Sequence, residues 1–184
     1  MKNTNQSTTT SISLTKRVRL LTSTAVFAAM ITIMTAYIAH IPTANDGYIH
    51  FGDSLIYLAA VLLPTPYALA AAAIGGGMAD LLTAPVWTIA TIIIKMLITI
   101  PFTNKKEKII CPHNIIATVI AFLISGTGYF IAEMILFGNN EAAMLTAFFS
   151  SMSGSIIQSG GSAIFFIIFG VFLDKIGFKQ RFLV

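Results

Sequence analysis

Charged side chains are scarce in this chain, and their scarcity excludes an ordinary soluble fold. They make up 10% of the 184 residues, whereas hydrophobic residues make up 56%, and the mean hydropathy is +0.85. One globular core could not bury so much apolar surface. Because a helix satisfies all its backbone hydrogen bonds internally, we predict an all-α integral membrane protein.

The chain also has only one cysteine and none of the common catalytic motifs. The single cysteine, Cys111, excludes an intramolecular disulfide, and no His/Cys spacing typical of a metal site occurs. The sequence has no GxxxxGK[ST] phosphate loop, so the chain cannot hydrolyse ATP by that mechanism. It also has no HExxH or GxSxG motif. We therefore expect no metal, no cofactor and no enzymatic activity.

Proline, glycine and charged residues divide the apolar sequence into six segments, each predicted to be a transmembrane helix. A polar stretch at 1–15, rich in Ser, Thr and Asn, is predicted to be a disordered cytoplasmic tail. Residues 16–184 then form one membrane domain, with helices at approximately 18–41, 51–63, 66–84, 87–102, 112–137 and 143–175.

The lengths of these segments leave one alternative open. A bilayer core needs about 20 helical residues, so the second and fourth segments are short. Only Pro64, Thr65 and Pro66 separate the second segment from the third, and the two could instead form a re-entrant hairpin. The first segment follows basic residues, as in a secretory signal, but it is longer than a signal's apolar region, so we expect a retained helix.

The basic residues predict the orientation. Ten of the eleven Lys and Arg residues lie in the N-terminal tail, in the loop after the fourth segment or at the C-terminal end, and Lys95 is the exception. Cytoplasmic loops of membrane proteins carry an excess of Lys and Arg, so both termini are predicted to be cytoplasmic. This clustering beside apolar runs also argues against a nucleic-acid partner.

With this orientation, polar side chains from five elements fall in the outer half of the membrane. An ionisable group costs about 2.5–3.5 kcal/mol at a helix centre in a bilayer, so such groups face a partner, a water-filled cavity or a ligand. We predict that they line a binding pocket open to the outside. The candidates are Tyr48, His50, Asp53, Asp80, Trp87, Lys95, Tyr129, Glu133 and Gln158.

Three of the charged candidates have alternative roles that involve no ligand. Asp53 follows Gly52 at a helix start, where a carboxylate favours the positive end of the helix dipole. Asp80 and Lys95 could neutralise each other as a buried pair.

The other candidates also have alternative roles that involve no ligand. Trp87 and Tyr48 could belong to the interfacial aromatic belt. Glu133 lies near enough to the surface to be solvated, and Gln158 could bond between helices. We assign no role to His40 or His113.

Small residues spaced by four allow helices to pack closely in a membrane. Ala25 and Ala29 in the first segment follow this spacing, as do Ala71, Gly75 and Ala79 in the third. Such a stripe either packs internal helices or, on an outward face, docks another membrane protein.

Two runs of sequence carry a resemblance to a known family. They are YIHFGDSLIYLAA at 48–60 and GGGMADLL at 75–82, followed by Pro85 and Lys95. Together with Ala25 and Ala29 they resemble the substrate-binding S components of energy-coupling factor (ECF) vitamin transporters, especially the riboflavin-transporter-like branch. The resemblance extends from about residue 17 to the C-terminus.

The resemblance implies a multi-pass protein of a bacterial-type cell membrane that captures a vitamin or vitamin precursor from outside. The partners it implies are a transmembrane coupling (T) protein and two cytoplasmic ATPases. It implies docking roles for Ala25 and Ala29. The pocket residues it implies are His50, Trp87, Lys95, Tyr129, Glu133 and Gln158.

The ligand and one alternative function stay open. Trp87 is the only tryptophan, which argues against a large flat ligand and favours a small heterocycle such as hydroxymethylpyrimidine or pyridoxine. An anion paired to Lys95, such as pantothenate, is the rival ligand. The alternative function is a stand-alone secondary transporter or channel that uses Asp80, Lys95 and Glu133 as an ion relay.

Overall fold

The computed structural model describes residues 4–38, 40–42, 48–137 and 141–182. These residues are almost entirely helical. A π-helical turn, Met34–Ile38, continues the first helix, and a 3-10 turn, Pro85–Trp87, precedes the fourth. The α-helices are α1 (Thr4–Ile33), α2 (Asp53–Leu62), α3 (Thr65–Thr83), α4 (Thr88–Thr99), α5 (Pro112–Phe137), α6 (Glu141–Lys175) and α7 (Phe178–Phe182).

Three of these helices are long and apolar enough to cross a membrane by length and composition. They are Leu14–Ile38, Pro112–Phe137 and Met144–Lys175, and the apolar helices Asp53–Leu62 and Pro85–Thr99 are shorter. The all-α prediction agrees with this architecture. A single antiparallel pair of two-residue strands in the described chain, β1 (Ile41–Pro42) and β2 (Tyr48–Ile49), is the addition that sequence reasoning missed.

The first helix differs most from its predicted bounds. It begins at Thr4 rather than at 18, so the helix includes residues 4–15 of the stretch predicted to be disordered, and residues 1–3 lie outside the described residues. Thr4–Ile33 contains neither proline nor glycine, the two residues that most disfavour a helix. Nothing in the sequence therefore stops the helix from extending beyond the apolar segment.

The short helix α2 is the centre of the bundle. Nine of its ten residues are buried, and it contacts α1, α3, α4 and α6. A helix that is apolar on all sides is typically a buried one. Tyr57 packs its ring against Phe102 and Phe166, and these three rings fill the core around α2.

Close packing of small residues joins α1 to α3. A Cβ atom added at Gly75 would lie 2.7 Å from the Cβ of Ile31 and 2.9 Å from the carbonyl oxygen of Ala28, so only glycine allows this approach. The single O–H of Thr32 lies within hydrogen-bond distance of both the Ala28 carbonyl (2.9 Å) and the Gly75 carbonyl (3.1 Å). The stripe around Gly75 therefore packs internal helices, which is one of the two roles expected for it.

The basic segments meet at one end of the bundle. Arg19 of α1 donates a hydrogen bond to the Arg181 carbonyl (3.1 Å) and lies over the ring of Phe182. The Asp174 carboxylate accepts backbone N–H groups from Ile109 (2.8 Å) and Ile110 (3.0 Å). The start of the apolar part of α1, the loop after α4 and the C-terminal helix are thus neighbours, as the charge pattern predicts.

This basic end also contains a buried lysine. The Lys179 side chain on α7 is buried, and burial lowers the pKa of its ammonium group below the usual lysine value. The side chain packs into the junction formed by α7, the loop after α4 and the end of α6.

Candidate functional site

A fully buried ion pair lies in the middle of the bundle. The Lys95 Nζ of α4 is 2.6 Å from the Asp53 Oδ1 of α2, and both side chains are 0% exposed. The Gln158 amide of α6 donates a hydrogen bond to the other carboxylate oxygen of Asp53 (3.0 Å). Three helices that are distant in sequence therefore meet at one carboxylate.

The pairing of Lys95 corrects one expected alternative. Asp80 was the expected partner if the lysine was neutralised, but Asp53 takes that place. The N-cap position of α2 is Gly52 and no side-chain cap hydrogen bond is formed there. Asp53 therefore lies in the first helical turn and uses its carboxylate for Lys95 and Gln158 rather than for capping.

The distance of this pair from the basic end of the bundle follows from the length of α2. Leu63, just after α2, receives a hydrogen bond at its carbonyl from Asn104 in the basic loop (2.7 Å). A ten-residue helix is about 15 Å long, so Asp53 lies about 15 Å from the basic end.

Lys95 has hydrogen-bonding capacity that the described residues do not use. Its ammonium has three N–H donors, and apart from the ionic contact with Asp53 no hydrogen-bond partner is found for Nζ in the described part of the chain. The Tyr129 ring of α5 lies 5.4 Å from Nζ, within the range of a cation–π contact. Free donors beside an aromatic face are suited to a polar ring.

Hydroxyl groups extend this arrangement toward β2. The hydroxyls of Thr91 and Tyr129 are 3.0 Å apart, and Thr91 also lies near Asp80. The Tyr48 hydroxyl donates to the Asp80 carboxylate. We call the connected set the outer polar cluster, and its members are Tyr48, Asp53, Asp80, Thr91, Lys95, Tyr129 and Gln158.

Aromatic side chains flank the outer polar cluster. The Tyr48 ring stacks on His40 with centroids 4.0 Å apart. Trp87 is 4% exposed and packs its ring 6.0 Å from Tyr129 and 5.8 Å from Phe137. Its indole N–H has no partner in the described part of the chain. Trp87 is thus an interior residue with a free donor rather than a lipid-facing member of an aromatic belt.

His50 lies beside the cluster in the segment between β2 and α2. It is 4% exposed, and its Nδ1 accepts a hydrogen bond from the Gly52 backbone N–H (3.0 Å). Burial, and then the nearby positive charge of Lys95, lower the pKa of His50 to about 3. His50 is therefore a neutral hydrogen-bonding residue at ordinary pH.

Glu133 is buried rather than solvated. It is 6% exposed, and its carboxylate accepts a hydrogen bond from the Ser151 hydroxyl of α6 (2.7 Å). It lies one helical turn beyond Tyr129 on the same face of α5. This contact joins the C-terminal part of α5 to the N-terminal part of α6.

Ala25 and Ala29, the predicted docking residues, are exposed on α1. Their neighbour Ala28 is 5% exposed and faces Gly75 of α3. The two alanines therefore lie on the face of α1 that points away from the described bundle.

Sequence reasoning missed Thr91, Ser151 and His40. A helical repeat could have found Thr91, because Trp87, Thr91 and Lys95 are spaced by four and share a face of α4. The stack of His40 on Tyr48 depends on the β1–β2 pairing and has no sequence signal. Among the described residues, no group of three or more His, Cys, Asp or Glu side chains could hold a metal ion.

Two comparisons with known proteins bear on this site. The family model described as "ECF-type riboflavin transporter, S component" matches residues 15–175. A curated protein of Pyrococcus woesei, described as "Uncharacterized protein in gap 3'region", is 27% identical over 132 residues, which cover 69% of this chain and 88% of that protein.

Proposed function

Since the chain belongs to the family of S components of ECF-type riboflavin transporters, we propose that it captures a small water-soluble vitamin or vitamin precursor from outside the cell. An S component is a subunit of a membrane transporter and not an enzyme. The chain is accordingly a multi-pass protein of the cell membrane.

The proposed topology has six crossings with both termini in the cytoplasm, formed by residues 16–184. In support, Arg19, Asp174 and the loop after α4 lie at the same end of the bundle, and that end carries the basic residues. The short helices α2 and α4 are compatible with crossing because neighbouring protein covers their ends.

The proposed partners are a transmembrane coupling protein and two cytoplasmic ATPases. The absence of a GxxxxGK[ST] loop supports a separate source of ATP hydrolysis. Ala25 and Ala29 are the proposed docking residues, because they combine small size with exposure on α1. Close helix approach through small residues is the usual mode of association in a bilayer.

The outer polar cluster is the proposed binding site, together with His50, Trp87 and Glu133. The observation that carries this proposal is the buried Lys95 ammonium, whose N–H donors find no acceptor other than Asp53 in the described part of the chain. A buried polar group without a partner is costly. A polar ligand that accepts hydrogen bonds from Lys95 and from the Trp87 indole would remove that cost.

Hydroxymethylpyrimidine or pyridoxine is the proposed ligand class. Each is one aromatic ring with hydroxyl and ring-nitrogen groups, which matches the donors on Lys95 and Trp87 and the acceptor on Asp80. Tyr129 and Trp87 offer ring faces and edges on one side of the cluster. Pantothenate, a flexible anion, is the rival ligand.

The alternative ion relay has less support. Its three residues contact different partners in the described structure: Asp80 contacts Tyr48, Lys95 contacts Asp53, and Glu133 contacts Ser151. A relay would need these groups to exchange protons with one another, and the family of the chain is one of transport subunits that work with partners.

Purification and uptake measurements test the proposal together. The chain should co-purify with two ATPases and a coupling protein, and the isolated chain should bind its ligand without ATP. Lys95→Ala should abolish binding. Uptake into liposomes driven by an ion gradient, with no partner present, would instead support the relay.

A further inference from the structure

Carboxyl groups outnumber basic groups in and beside the outer polar cluster. Three carboxylic acids, Asp53, Asp80 and Glu133, stand against one ammonium group, that of Lys95. His50 adds no compensating charge, because burial lowers its pKa to about 3. The described part of the site therefore has more acidic than basic groups.

The single cation is already neutralised. Lys95 lies 2.6 Å from Asp53. An anionic ligand that took Lys95 for itself would leave Asp53 as a buried carboxylate with Gln158 as its remaining donor. Removing one partner from a buried ion pair is strongly unfavourable.

Asp80 lies close to this pair and has no cationic partner of its own in the described part of the chain. It is one helical turn from Gly76 on α3, and a Cβ added at Gly76 would lie 2.8 Å from the Lys95 Cγ. Its contacts are the hydroxyls of Tyr48 and Thr91. A carboxylate offers about four acceptor positions, so two hydroxyls leave room for an N–H donor of a ligand.

The aromatic rings beside the cluster act in the same direction. Tyr129 presents its ring face to Lys95, with the ring centroid 5.4 Å from Nζ, and the Tyr48 hydroxyl contacts Asp80. The face of an aromatic ring attracts a positive charge and repels a negative one.

We propose that this site accepts neutral or singly cationic ligands and rejects anions, and that Asp80 is the residue that determines this charge selectivity. The inference rests on the proposed function of ligand capture. It excludes pantothenate and other carboxylate vitamins as ligands, and it retains small neutral heterocycles.

Matched pairs of ligands test the charge selectivity on the purified full chain. Pyridoxine and 4-pyridoxate differ by one hydroxymethyl group replaced by a carboxylate, and pantothenol and pantothenate differ in the same way. Isothermal titration should show the neutral member of a pair binding at least about tenfold more tightly, since a like charge in a buried site is strongly unfavourable. Equal or tighter binding of the anion would overturn the proposal.

Variants at Asp80 test whether that residue determines the charge selectivity. Asp80→Asn should reduce the neutral-to-anion affinity ratio several-fold, whereas Asp80→Glu should keep it because the charge is retained. Glu107→Gln makes the same charge change on the exposed cytoplasmic loop and should leave the ratio unchanged. A ratio unaltered in folded Asp80→Asn would remove Asp80 from the proposal, and if that variant does not fold, the ratio in Asp80→Ser, which also removes the carboxylate, decides.

Failure of this inference is distinguishable from failure of the proposed function. If no member of either ligand pair binds, native mass spectrometry of the purified chain identifies a carried-over molecule and so gives its charge. An anion overturns the inference but leaves ligand capture standing. No bound molecule, together with uptake that needs no ATPase, overturns both.

Discussion

Lys95 and Asp53 form a fully buried ion pair, 2.6 Å long, between α4 and the start of the central helix α2. The pair lies in the interior of the bundle, where an isolated charge is costly. It fixes the position of Lys95 beside Tyr129, and so determines where the remaining ammonium donors point.

Removing one partner of this pair should destabilise the protein more than removing both partners. Lys95→Met leaves Asp53 as an uncompensated buried charge and should destabilise the protein by about 3–5 kcal/mol. The double variant Lys95→Met with Asp53→Asn should recover most of that loss. Thermal unfolding of the purified variants in detergent measures both, and a double variant no more stable than Lys95→Met would contradict the pairing.

Substitutions on the proposed docking face of α1 should block uptake without changing ligand binding. Ala25→Leu with Ala29→Leu adds bulk on an exposed face, so ligand binding should be unchanged while ATP-driven uptake is lost. The matched control is Gly160→Leu on α6, where an added Cβ meets no atom within 4 Å. Normal uptake by the double alanine variant would remove the docking assignment.

Two glycines should respond oppositely to the same substitution. Gly75→Ala places a Cβ 2.7 Å from the Cβ of Ile31 and should destabilise the protein by about 1–3 kcal/mol through overpacking. Gly154→Ala meets no atom within 4 Å and should be neutral or stabilising by up to about 1 kcal/mol. Unfolding temperatures compare the two, and equal effects would contradict the α1–α3 packing.

His50 should make stability depend on pH below neutrality. Its folded pKa of about 3 lies below its usual value of 6.5, so between these values the unfolded chain binds more protons. Stability should therefore rise with pH up to about 6.5 and then level off. From pH 6.5 down to pH 5 the loss should reach at most about 2 kcal/mol.

His50→Gln, which keeps a side-chain acceptor but does not titrate, should flatten that pH dependence. Unfolding temperatures of the wild type and the variant at pH 5, 6 and 7 make the comparison. An equally steep dependence in His50→Gln would assign the effect to another group.

Composition and local spacing were enough to predict the helical class, the bounds of α5 and much of α3, and the clustering of basic residues at one end. Proline carries this information because it is favoured in the first turn of a helix, where Pro66 lies in α3 and Pro112 in α5. The N-terminal extension of α1 was missed because low hydropathy is not a helix stop signal. Where proline or glycine is absent, the helix continues through polar residues.

The sequence was enough to identify residues of the candidate site, but not which of them contact each other. Polarity in an apolar chain identified Lys95, Asp53 and Gln158, since such residues are rare in membrane helices. Which acid meets Lys95 depends on the central position of α2, which brings Asp53 rather than Asp80 into contact. That position follows from packing of the whole bundle and not from any local pattern.

Native mass spectrometry of the purified chain tests the central claim most directly, namely that the outer polar cluster around Lys95 holds a small polar nutrient. The wild type should retain one small molecule with the mass of a vitamin or vitamin precursor. The folded double variant Lys95→Met with Asp53→Asn should retain none. Retention of the same molecule by both proteins would contradict the account.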